Sequence, residues 1–441
     1  FTKLEAKLTS LLWRFLTAYG RIKYRYLLPI YRWFGLLPNQ RKANNTRESS
    51  LTVRGAESLV RALDRGFGLG KSKVRSQVDQ LNAVTGRVQE SKGAVIFLPS
   101  TGWDIVNAQR SHHLAREFAR QGFVAIFDSS NSYDDVDGFK EVAPDLHLFR
   151  GSNELLREIP DPILWTLPYN FDQRDVYGSA ARTVYDWIDD FAVFNFEREF
   201  LERNHQRALK EATVVASVAQ RLHQQAAAVR PDALYLPNAV DYEHFAREGL
   251  SLPEDPELNA SWLGEKPIAG YYGAMAEWFD YELLDALSKL RSDWNFLLIG
   301  PPIDNSISER GKFISKRLNI RWLGQRDYAT IPRYLHIFDV AMIPFRITEV
   351  TQATSPLKLY EYFAGGKPVV TTPMAECRLF SEVQIAQSAA EFGHALDKSR
   401  ELGQDSGFRE QLRKLGRENS WSARVHQVLA ELEAVARASR P

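Results

Sequence analysis

From residue 93 onward, short apolar runs recur between amphipathic segments: GAVIFLPS, FVAIFD, LHLFR, PILWTLP, TVYDWI, TVVASV and ALYLPNAV. Several are apolar throughout rather than alternating, the pattern of strands buried on both faces. Helical patterns such as NAQRSHHLAREFARQG and EREFLERNHQRALKEA lie between several of them. Such an alternation predicts a parallel sheet covered on both sides by helices. A proline-containing polar break near 251–266 interrupts the rhythm, which restarts in KPIAGYYGA, NFLLIGPP, IRWLG, FDVAMIPF and KPVVTTP. The expectation is an α/β architecture with two doubly wound, Rossmann-like domains, residues 91–250 and 251–410, facing a cleft. A helical region, 411–441, is expected to pack back toward the first domain.

Residues 1–90 read differently. LEAKLTSLLWRFLTAYGRIKYRYLLPIYRWFGLLP predicts one or two helices rich in aromatic and basic side chains, followed by a polar linker. Residues 1–36 suit either an interfacial helix on an anionic membrane surface or a helix packed on the protein body, an upstream domain or a partner enzyme. The GFGLGK turn at 66–71 lacks the spacing, the following Ser/Thr and the preceding strand of a phosphate loop. A sequence opening at Phe1 is expected to continue upstream.

Composition changes this picture little. The 441 residues are 44% hydrophobic and 25% charged, with a formal net charge of +1, so nothing in the whole points to nucleic acid or disorder. Residues 1–50 alone are strongly basic, with ten Lys/Arg against two Glu. One cysteine, Cys377, excludes an internal disulfide and suits a reducing compartment. No run reaches the length of a membrane span. A soluble body is expected, cytoplasmic or peripheral on the inner membrane face through residues 1–36.

In parallel sheets, ligands sit beyond the carboxyl ends of the strands. There TSPLKLYEYFAGGKPVV places Ser355, Pro356 and Leu357 at the opening of a helix, where free backbone N–H groups favour a phosphate. Lys358 can reach the same phosphate, and Glu361, an acceptor when ionised, suits a pair of ribose hydroxyls. Together they describe a seat for a nucleoside diphosphate. Asp190 (with Asp189), ending YDWIDD, and Glu277, after YYGAMA, are candidate carboxylates to orient an acceptor or take its proton; a helix cap is the plain alternative for Asp190 and a solvated loop carboxylate for Glu277. Asp104, Arg110 and His113 fall in the first turn of the first domain, on the acceptor side. Trp103, Trp165, Trp187 and Trp278 could stack on sugar rings, although Trp165 and Trp187 lie inside strands. The histidines are dispersed, so no metal site is expected.

SPLKLYEYFAGGKPVVTTP resembles the donor-binding segment of GT-B glycosyltransferases. The likeness continues through QRSHHLAREFARQG, VYDWIDDF, LPNAVDYEHF, IAGYYGAMAEWFDYELL, FLLIGP and YLHIFDVAMIPF, in the order found in bacterial family 4-like enzymes, including those of teichuronic acid synthesis. It covers about residues 93–380. The resemblance implies a first domain for a glycan or lipid-linked acceptor and a second for a sugar nucleotide with UDP, GDP or TDP. It also implies retaining, metal-independent transfer with no bound cofactor, in surface polysaccharide assembly. Glu361 would then hold ribose, Lys358 with the Ser355 turn the diphosphate, and Gly273 would admit it closely. Gln325 and Arg326 would lie at the base.

The chain also departs from that pattern. GAMAEWFDYE carries none of the basic residues usual there, and position 353 is alanine where such enzymes commonly have a glutamate. Arg346 is the nearest candidate to supply the missing charge, with a solvated arginine as the alternative. Two other readings stay open: a non-catalytic scaffold of the same fold that binds a glycan or partner enzyme, and a sugar-nucleotide epimerase.

Overall fold

The computed structural model describes residues 71–438 apart from 106–107, 178–181, 252–253, 259 and 265. The basic aromatic segment 1–36 therefore lies outside the described residues. Helix α1 (Lys71–Gln89) leads into an eight-stranded sheet formed by β1 (Ala94–Phe97), β2 (Val124–Asp128), β3 (Gly138–Ala143), β4 (Leu146–Arg150), β5 (Ile163–Thr166), β6 (Arg182–Trp187), β7 (Val214–Ser217) and β8 (Leu234–Tyr235). Their order is β3-β4-β2-β1-β5-β6-β7-β8. All neighbours are parallel except β3 and β4, which form an antiparallel edge with an irregular register at Glu141/Ala143. The apolar-run pattern does not anticipate β3, because GFKEVA is half exposed and polar.

The second sheet contains β9 (Ile268–Tyr272), β10 (Asn295–Ile299), β11 (Ile320–Trp322), β12 (Val340–Ile343), β13 (Val369–Thr371) and β14 (Gln384–Ile385). It is wholly parallel, in the order β11-β10-β9-β12-β13-β14. β1, β5, β9, β10 and β12 are buried along their whole length, which explains their uninterrupted apolar character. In each sheet the strand order reverses beside the first strand, β1 or β9, leaving a crevice at its carboxyl end.

Three further elements position the site. Helix α2 (Arg110–Arg120) follows β1. Helix α3 (Leu357–Ala364) precedes β13, opening at Pro356 and closing at Gly365–Gly366, where Gly366 has φ +64°. Helix α4 (Trp421–Ala438) returns to the first sheet: Trp421, Val425, Val428 and Leu432 share a core with Val95, Phe97, Leu114 and Ala216. Among the described residues no helix is long and apolar enough to cross a membrane.

Candidate active site

The carboxyl ends of β9 and β10 form a tight pair of glycine turns. Gly273 has φ +138° and Gly300 has φ +144°, regions that L side chains rarely adopt. A Cβ on Gly300 would stand 1.9 Å from the Gly273 carbonyl oxygen, and one on Gly273 would stand 2.9 Å from Lys358 Cε. The backbone beside the amino end of α3 is thus kept bare. The first N–H groups of α3 have no acceptor within their own helix, as at any helix start.

Lys358 and Glu361 occupy successive turns of α3 in an aromatic enclosure. Lys358 Nζ lies 4.7 Å from the centre of the Phe345 ring and 5.4 Å from that of Tyr271. Burial pushes its pKa down to about 8, against the pull of Glu361. Glu361 is 2% exposed, and its Oε1 accepts a hydrogen bond of 3.0 Å from the Tyr328 hydroxyl. Burial pushes its carboxyl up to about 7, opposed by the hydroxyls of Tyr272 and Tyr328 and by Lys358.

The other donor-side residues differ in how they are held. Ser355 is buried and tied to the first half: its Oγ accepts from Asn238 N at 3.2 Å, and its carbonyl accepts from Asn238 Nδ2 at 2.7 Å. Pro356 provides the extended residue before the helix, and Leu357 packs against the core of the first half. Gln325 is exposed on the loop after β11. Arg326 on that loop pairs with Asp255 at 2.7 Å and Glu257 at 3.3 Å, leaving backbone atoms as its means of touching a base. Arg346 is exposed after β12, next to Phe345, and among the described residues pairs with no carboxylate.

Asp190 caps the short helix Phe191–Val193, accepting from Ala192 N at 2.9 Å. Neighbouring Asp189 is pushed up to about 7 by burial and by Asp190. Glu277 is exposed, its N–H held by Asp304 at 2.8 Å. Asp104 is also exposed, and its N–H donates to Asp134 at 3.1 Å. Arg110 is buried: it pairs with Asp186 at 2.8 Å and donates to the carbonyls of Leu236 and Pro237 at 2.9 and 3.1 Å. Those bonds fasten α2 to the segment linking the halves and take up the donors that an acceptor would need. Trp165 and Trp187 are core residues, whereas Trp103 is half-buried under the Arg116 guanidinium, 4.6 Å away.

His113 behaves otherwise. It is 5% exposed, stacks on Trp421 with 5.2 Å between ring centres, and lies 5.8 Å from Tyr328. Burial and the charge of Arg116 push it down to about 3, so it is neutral. It lines a cavity of about 710 Å³ between the halves, with Arg116, Arg120, Asp241, His244, Gln325 and Tyr328 among the walls. Sequence reasoning missed Arg116, His244 and Tyr328. The signal for Arg116 was present, since 113, 116 and 120 share one face of α2. Tyr328 had none, lying 33 residues before its partner Glu361. Among the described residues no group of three His, Cys, Asp or Glu is arranged to hold a metal.

Two doubly wound halves with a lysine–glutamate helix at the cleft define a GT-B protein. Residues 266–396 match the family described as Glycosyl transferases group 1, so the second half carries a glycosyltransferase domain of that group. A Bacillus subtilis protein named as a teichuronic acid biosynthesis glycosyltransferase, TuaH, is 24% identical over 287 residues, 61% of this chain and 68% of that protein. Sucrose-phosphate synthase from Thermosynechococcus elongatus superimposes with a TM-score of 0.57 at 17% identity, over 78% of this chain and 99% of that one. Anabaena Alr3699/HepE in complex with UDP and glucose gives 0.55 at 13%, over 76% and 99%. These structural likenesses establish the fold.

Proposed function

We propose that this glycosyltransferase moves a sugar from a nucleoside-diphosphate sugar to a glycan or lipid-linked acceptor in bacterial surface polysaccharide assembly. The observation that carries the reading is α3: at its amino end Lys358, whose side chain has no hydrogen bond or ion pair among the described residues, beside bare glycine turns, and Glu361 one turn on. The similar Anabaena protein is described in complex with UDP and glucose, which supports a sugar nucleotide as donor. UDP, GDP and TDP sugars are the candidates, and attachment to the inner membrane face through residues 1–36 belongs to the same proposal.

In the reaction, the acceptor oxygen forms a bond to the anomeric carbon as the bond to the diphosphate breaks. The N–H groups opening α3, Lys358 and, from the β12 side, Arg346 stabilise the departing negative charge. Glu361 holds the ribose and thereby fixes where that charge develops. Asp189 and Asp190, just beyond the carboxyl end of β6, and Glu277 are the candidates to take the acceptor proton, with burial pushing Asp189 up to about 7. Retention of configuration and independence from metal follow from the family resemblance.

Calorimetric titration with UDP, GDP, CDP, TDP and ADP, repeated on Glu361→Ala, tests the reading. Selective binding that Glu361→Ala weakens at least tenfold is expected. No binding to any nucleotide overturns it in favour of a scaffold that binds a glycan or partner.

A further inference from the structure

The cavity between the halves has an unbalanced wall. Its acidic side chains are occupied: Asp241 pairs with Arg120 at 3.0 Å, and Asp327 accepts from Ala329 N at 3.0 Å. Arg326 is neutralised by Asp255 and Glu257. Arg116 is the exception. Half-buried, it rests on the Trp103 ring, and among the described residues it has no hydrogen bond or ion pair. Beside it the Nε2 of His113 is buried and has no partner among the described residues. Buried polar groups of this kind call for a partner, a water or a ligand.

The position of the cavity says which part of a nucleotide that is. Lys358 and Gly273 mark the phosphate end, Glu361 the ribose, and Tyr328 joins Glu361 to the cavity wall. Passing from phosphate through ribose leads into the cavity, where the base belongs. A guanidinium has five donors and no acceptor. The two carboxylates of the wall, Asp241 and Asp327, each already hold a donor, whereas Arg116 holds no acceptor among the described residues.

We infer that Arg116, from the first half, reads the base of the donor from across the cleft and selects bases with a keto oxygen at the reading edge. These are uracil, thymine and guanine, as opposed to cytosine and adenine, whose exocyclic amino groups would meet donors with donors. The inference rests on the proposed donor site and adds its substrate class. Arg116 is here a specificity-determining residue, and the neutral His113 beside it contributes one further polar contact.

The five nucleoside diphosphates, titrated into the full chain and into Arg116→Lys and Arg116→Gln, decide the matter. Wild type is expected to bind UDP, TDP or GDP about tenfold or more tighter than CDP and ADP, the order of a charge-assisted contact in which the guanidinium fork converges on one keto oxygen. Both variants should lose that preference, because lysine keeps the charge but not the planar fork. Equal weakening of all five by Arg116→Gln, restored by Arg116→Lys, would make Arg116 a point charge for the diphosphate and overturn the inference. So would an unchanged base preference in both variants while Glu361→Ala loses binding, which leaves the donor site standing. If wild type binds none of the five, both readings fall. Thermal melts that match wild type show that the variants are folded.

Discussion

The Tyr328 hydroxyl donates to Glu361 Oε1 at 3.0 Å, so a loop of the second half occupies the carboxylate that the proposed ribose would engage. A ribose must share or displace that bond. Tyr328 is in turn packed between His113, 5.8 Å away, and His244, 5.0 Å away. Filling the Glu361 site therefore disturbs the contact between the halves.

The same pair sets a pH dependence. Glu361 accepts a pair of hydroxyls most strongly when ionised, and its pKa stands near 7; Lys358 attracts a diphosphate only when protonated, and its pKa stands near 8. Nucleoside diphosphate affinity should therefore fall below about pH 7 and again above about pH 8, a narrow bell. Titration calorimetry from pH 5.5 to 9.5 measures it. Glu361→Gln should abolish the acidic limb and keep the alkaline one.

Stability should move the opposite way. The folded pKa of Glu361 lies above its ordinary 4.5, so what the group contributes to folding is present below pH 4.5 and lost as the pH rises through about 7. For Lys358, depressed from 10.5, the contribution is present at high pH and lost as the pH falls through about 8. Near pH 8 the buried carboxylate is a burden on the order of 3 kcal/mol. Glu361→Gln, which can still accept from Tyr328, should raise the denaturation midpoint at pH 8 and have little effect at pH 4.5. Urea unfolding at the two pH values checks this, and a variant less stable than wild type at pH 8 would refute it.

Arg110 makes a contrasting case. Its partner Asp186 is fully buried and also accepts from Trp165 Nε1 at 3.1 Å. Arg110→Ala would strand that carboxylate, at a cost of about 3–5 kcal/mol. Arg110→Lys should not rescue it, since one ammonium cannot span Asp186 and the Leu236 and Pro237 carbonyls. Thermal melts should show the loss. In whatever fraction stays folded, nucleotide affinity should weaken by no more than a few fold, because Arg110 reaches the Lys358–Glu361 helix only through Asn238, which holds Ser355.

Arg110 also shows where sequence reading reaches its limit. Strands such as VAIFD and NFLLI were legible because burial on both faces confines polar residues to a strand end, here Asp128 and Asn295, and α3 was legible because its lysine and glutamate interrupt an otherwise apolar helix. These are local patterns. What Arg110 does depends on Asp186, 76 residues away, and what Glu361 does depends on Tyr328. Asp190 looked equally suited to catalysis and capping, and only the fold shows its oxygen on Ala192 N. The β3 edge stayed hidden for a related reason: a strand with one side in solvent carries the same residues as a loop.

Gly300 provides a test of the bare backbone at the diphosphate end. It was visible in sequence only as the residue between FLLI and PP, yet its Cα sits so close to Gly273 that an added Cβ would be 1.9 Å from that carbonyl oxygen. No side-chain rotation can relieve a contact between a Cβ and a backbone atom. Gly300→Ala must move the Gly273 turn or the end of β10, and at φ +144° alanine is strained in any case. The Gly273 turn touches Lys358, so the displacement passes to the cation proposed for the diphosphate. Nucleoside diphosphates should bind Gly300→Ala at least tenfold more weakly, while binding of the free nucleosides, which lack phosphate, should change less. Gly249, at φ +67° with open space around it and away from these turns, is the control: Gly249→Ala should cost about 1 kcal/mol of stability through backbone strain and leave diphosphate affinity close to wild type. Equal losses at the two glycines would mean that strain alone, and not the contact with Gly273, governs binding.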